Sequence, residues 1–135
     1  MNPLVPLLWM AGFVQLAIFA ANFLLPGRLS VREELPRLSP ILRQVFLVHW
    51  AYILFVLLIF AALSFLFAPD LAGGSTLGRA MSACMALFWS TRILIQLFYY
   101  DAVLKRENRA GNILFTSAFT FLAVVFTAAA LGAGR

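Results

Sequence analysis

Four runs of apolar residues, each long enough to cross a bilayer as a helix, take up most of this 135-residue chain. They cover residues 4–25, 41–67, 77–104 and 113–131. A helix rises ~1.5 Å per residue, so about 20 residues cross the hydrocarbon layer with every backbone polar group bonded inside the segment. Runs of this length, joined by short connections, predict a single domain over residues 1–135. It is an all-α integral membrane four-helix transmembrane bundle with short loops and sequential helices as neighbours. Composition points the same way, since 64% hydrophobic and 11% charged residues with a mean hydropathy of +0.97 lie outside the range of soluble domains. No soluble catalytic domain fits in the remainder.

Local signals set the boundaries. Pro26-Gly27 is expected to stop the first helix, because proline lacks a donor and glycine tolerates positive φ. Ser39-Pro40 reads as the N-cap and first residue of the second helix, which runs to about residue 67 before Pro69-Asp70. The third is expected to start after Gly73-Gly74-Ser75-Thr76 and to continue past the membrane until Gly111 ends it, whereupon Asn112 caps the fourth. Between the first two spans, Ser30 and Glu33 have capping-box spacing, which suits either a short interfacial helix or a solvated loop. The first residues lack the basic region of a secretory signal, so the first run reads as a retained span.

Ten Lys and Arg against five Asp and Glu give a net charge of +5. In a membrane chain this excess reports orientation and attraction to lipid headgroups, and no nucleic-acid partner is expected. Arg28, Arg32, Arg37 and Arg43 cluster at the first loop, and Lys105, Arg106 and Arg109 at the third, whereas the second holds only Arg79. Loops 26–40 and 105–112 are therefore expected to be cytoplasmic and both termini outside, in a membrane of the prokaryotic inner type.

Against this apolar background Arg92 stands out, near the middle of the third run with no acidic residue inside any run at comparable depth. A charge at mid-bilayer costs ~3 kcal/mol on insertion scales, so such residues usually face a bundle interior, a wet cavity, a ligand or a partner. Asp101 follows by nine residues, half a helical rotation away and ~13 Å along the axis, too far to pair within the helix. Arg92, Gln96 and Tyr99 recur at helical spacing with Trp89 beside them; Gln15 and Asn22 share a face of the first helix, and His49 and Tyr52 a face of the second. Counted from the cytoplasmic ends, Gln15, His49, Arg92, Gln96 and Thr120 fall at depths of ~12–18 Å and are expected to form one polar layer. That layer serves as packing glue, as a site for an anionic or amphiphilic ligand, or as a contact with another subunit. Tyr100 and Asp101 read as an interfacial belt or a headgroup contact, with Arg43 at the same interface.

Little else suggests chemistry. The chain has one His and one Cys, Cys84, and no carboxylate at the depth of His49, so no metal site is expected. A bis-histidine haem is impossible within one chain and would need His49 from two chains across a symmetric interface; the sequence names no cofactor. Phosphate-loop, nucleophile-elbow and zinc-protease motifs are absent. Small-residue pairs at Ala80 and Cys84, Ser82 and Ala86, Ala128 and Gly132, and Ala130 and Gly134 allow close helix approach. The leading reading is a non-enzymatic small membrane subunit or scaffold, whose partners are membrane lipids and either its own copies or a larger membrane complex. A carrier or channel component that binds an anionic or amphiphilic molecule at Arg92, lined by Gln96, Tyr99, His49 and Gln15, is the second. A membrane-embedded enzyme using His49 in proton transfer is the third.

Overall fold

The structure, a computed structural model, describes residues 3–28, 35–99 and 109–132, and for residues 24–28 and 99 the backbone alone. Helix α1 is Leu4–Arg28, α2 Pro40–Leu66, α3 the short Ala68–Ala72, α4 Thr76–Leu94 and α5 Arg109–Leu131. A 3-10 turn, Leu35–Arg37, precedes α2, and a π-helical turn, Ile95–Tyr99, extends α4. The described residues contain no strand, and the four long helices are apolar enough to cross a membrane. The chain is an all-α four-helix bundle.

Each long helix buries one stripe. On α1 it is Leu4, Leu8, Ala11, Gln15 and Ile18; on α2, Leu54, Leu57, Ala61 and Ser64, with half-buried Trp50 one step earlier. Steps of three and four residues keep such a stripe on one side of a helix, the pattern of closely paired helices. Helices α4 and α5 share the largest contact, α1 lies against both α2 and α5, and α3 fits between α1 and α4. Phe60 on α2 reaches Phe88 on α4, edge to face at 5.1 Å.

Caps behave largely as expected. Ser39 Oγ accepts from Leu42 N–H at 3.4 Å with Pro40 as first helical residue, and Ser75 Oγ accepts from Gly78 N–H at 3.0 Å. Gly74 turns the chain into α4 at φ 79°, a conformation that side chains with a Cβ seldom adopt. At this end of the bundle Arg79 Nε donates to Ala130 O at 2.8 Å, placing a cation on the carbonyl-rich end of α5.

Three boundaries differ from expectation. Helix α1 continues through Pro26-Gly27 to Arg28, with Pro26 in its last turn rather than after its end. Pro69 does not merely end α2: it occupies the first turn of α3, where no helical N–H bond is lost. Gly111 and Asn112 are neither the end of one helix nor the cap of the next, because both lie in the first turn of α5. The proposed helix near Ser30 and Glu33, and the extension of α4 past the membrane from residue 100 to 108, lie outside the described residues.

Helix α2 is displaced along the bundle. Ser64, close to its end, meets Gln15 in the middle of α1. From there α2 leads back ~36 Å to Pro40, whereas α1 leads only ~20 Å to Arg28. The first turns of α2 therefore extend past the last described turn of α1. Accordingly 39% of the apolar window of α1 is buried against 17% of that of α2, and no residue of α2 before Leu54 is fully buried.

Candidate functional site

The expected single polar layer divides in two. Gln15, completely buried, donates through Nε2 to Ala11 O at 3.1 Å on its own helix and to Ser64 Oγ at 3.0 Å on α2. Ser64 Oγ in turn donates to Phe60 O at 2.8 Å. His49 lies about fifteen residues before Ser64, ~22 Å along the same helix, so Gln15 and His49 do not share a layer. The Gln15–Ser64 bond is a packing contact between α1 and α2. Its coupling, read from a double-mutant cycle of Gln15→Met and Ser64→Ala in detergent unfolding, is expected at ~1 kcal/mol. Gln15→Met alone is expected to cost little, because it also removes Oε1, which is buried with no partner among the described residues.

The second cluster joins α4 to α5. Arg92 Nη1 donates to Gln96 Oε1 at 3.3 Å, and Gln96 Nε2 donates to Asn112 Oδ1 at 2.7 Å. The guanidinium lies 4.7 Å from the centre of the Phe119 ring, and that ring stacks on Trp89 at 5.6 Å and on Phe115 at 5.9 Å. Arg92 is half-buried and Gln96 is buried within the π-helical turn. The extra residue in such a turn re-aims the side chains after it, a device common at functional positions. Trp89 Nε1 and Thr116 Oγ1 are buried with no hydrogen-bond partner among the described residues.

The other expected site residues lie apart from both clusters. His49 is exposed on α2, with Nδ1 2.8 Å from Val45 O. A carbonyl oxygen only accepts, so Nδ1 carries the proton and the other ring nitrogen, Nε2, points away from the helix backbone. Tyr52 is 66% exposed on the same side. Thr120 is exposed and donates back to Thr116 O at 2.8 Å, and Arg43 is half-buried in the first turn of α2. Tyr99 closes the π-helical turn, but its side chain, like Tyr100 and Asp101, lies outside the described residues. Of the small-residue pairs, Ser82 and Ala86 pack inside while Ala80 and Cys84 face outward.

Ser64, Asn112 and Phe119 join these clusters without having been expected. Ser64 was findable, since it is the one polar residue on the α2 stripe that contains Leu54, Leu57 and Ala61. Asn112, expected as a cap, instead lies inside α5, whose described residues begin at Arg109. Comparison with protein-family models, curated proteins and solved structures finds no match.

Proposed function

We propose that the chain is a small non-enzymatic integral membrane subunit or scaffold that docks to other membrane protein through the outward side of α2. Its polar groups divide the work: Gln15 with Ser64, and Gln96 with Asn112, tie the helices into pairs, while His49 and Tyr52 are presented outward. The observation that carries this reading is the segment of α2 before Leu54, which has no fully buried residue and leaves Leu42, Val45, Phe46, Val48 and Ile53 exposed beside His49 and Tyr52. Polar groups on an outward transmembrane face are costly against lipid and are usually met by a partner. The basic loops 26–40 and 105–112 favour an orientation with both of them cytoplasmic and both termini outside, in a prokaryotic-type inner membrane.

Site-specific photo-cross-linking tests the docking side. A photoreactive residue at Ile53 is expected to capture protein, and one at Leu87 or Val124, exposed on α4 and α5, to capture lipid. Lipid adducts alone at all three positions would contradict docking through α2.

A second reading places an anionic or amphiphilic molecule at Arg92. It is favoured by Trp89 Nε1 and Thr116 Oγ1, buried with no hydrogen-bond partner among the described residues, with the Trp89 ring stacked on the Phe119 ring that the guanidinium covers. Under it, protein released from its own membranes in mild detergent carries an anionic adduct by native mass spectrometry, and Arg92→Leu loses that adduct while keeping the same assembly. Equal adducts on both proteins would remove the reading.

A further inference from the structure

The outward side of α2 carries a set of groups that is complementary to itself. Leu42, Val45, His49, Tyr52 and Val56 follow one another at steps of three and four residues and so form one stripe. It lies away from the stripe of Leu54, Leu57, Ala61 and Ser64 that packs inward. Leu42 is 57% exposed and Tyr52 66%. With Nδ1–H donated to Val45 O, His49 keeps one acceptor, Nε2. The Tyr52 hydroxyl, one turn along, is a donor with no hydrogen bond among the described residues.

We infer that α2 pairs with α2 of a second copy of this chain, the Tyr52 hydroxyl of each copy donating to His49 Nε2 of the other. The inference rests on the docking reading above and names the partner. Copies inserted in the same orientation are related by a two-fold axis along the membrane normal, which sets every residue level with its own counterpart. Both side chains lean toward the N-terminus, and the longer Tyr52 side chain spans the three-residue step, ~4.5 Å along the axis, back toward His49. Across a two-fold axis one donor and one acceptor on the same stripe close two equivalent bonds, and no further partner chemistry is needed. Acyl chains offer neither donor nor acceptor.

Disulfide scanning in a Cys84→Ser background tests this in native membranes. Single cysteines at Leu42, Val45 and Val56 are expected to cross-link two copies under mild oxidation. Those at Leu47, Ala51 and Leu58, which face about half a rotation away, are expected to stay monomeric. In cross-linkable proteins Tyr52→Phe or His49→Ala should weaken dimerisation about tenfold, two equivalent bonds being lost, and the double variant should weaken it no further. Equal cross-linking on both sides, or independent effects of the two substitutions, would overturn the pairing. Cross-links from the Leu42 stripe to a different protein would overturn the second copy as partner while leaving docking intact. Cysteines there that join no protein at all would remove both.

Discussion

Trp89→Ala is expected to destabilise the bundle by ~3–5 kcal/mol, the range for emptying a large buried aromatic site. Trp89 is 2% exposed and is among the largest side chains with almost no accessible surface. It meets Phe88 edge to face at 5.0 Å and stacks on Phe119 at 5.6 Å, so both α4 and α5 lean on it. Between transmembrane helices the loss is mainly of packing, because lipid is as apolar as the interior and hydrophobic transfer contributes little. Phe119 would also lose the ring that holds it beneath Arg92. Unfolding in mixed micelles with rising dodecyl sulfate, followed by tryptophan-independent circular dichroism, reads the change. A midpoint equal to that of the parent protein would mean that the α4–α5 seam does not depend on this ring.

Gly78→Ala is expected to cost ~2–3 kcal/mol in the same titration, despite adding only a methyl group and improving helix propensity. A Cβ at Gly78 would overlap the backbone oxygen of Asp70 in α3 and lie 2.9 Å from Ser75 Oγ. Asp70 O belongs to the backbone and moves only if α3 moves with it. Ser75 Oγ is the group that caps α4 through Gly78 N–H, so the methyl also disturbs the cap, itself worth ~1 kcal/mol. Gly111→Ala provides the contrast: nothing among the described residues lies within 4 Å of its Cβ position, and that variant is expected to match or exceed parental stability.

The fold was legible because membrane spans announce themselves by length. Four apolar runs gave four helices, and Ser39-Pro40 located the start of α2 to the residue. What escaped the sequence was displacement along the helix axes. Depth counted from the loops put Gln15 and His49 level, but α3 takes up the end of the bundle beside α1 and leaves α2 shifted, so that Gln15 meets Ser64. No residue type encodes that shift by itself; it follows from which stripes interlock. The link from Arg92 to Gln96 was visible as a spacing of four residues. The π-helical turn and the place of Asn112 were not, since both depend on the close fit of α4 against α5. His49 and Tyr52 were expected to face inward or toward a partner subunit, and the displacement of α2 leaves them on the outward side.

Native mass spectrometry of the protein released from its own membranes tests docking through α2 most directly, with wild type run beside the His49→Ala, Tyr52→Phe double variant. Wild type is expected as an assembly heavier than its 15.0 kDa protomer, and the double variant is expected to shift toward free protomer at the same concentration, as an about tenfold weaker association requires, while keeping its helical circular dichroism. A wild-type protein that leaves the membrane as a lone protomer, with lipids as its only companions, would contradict docking through α2.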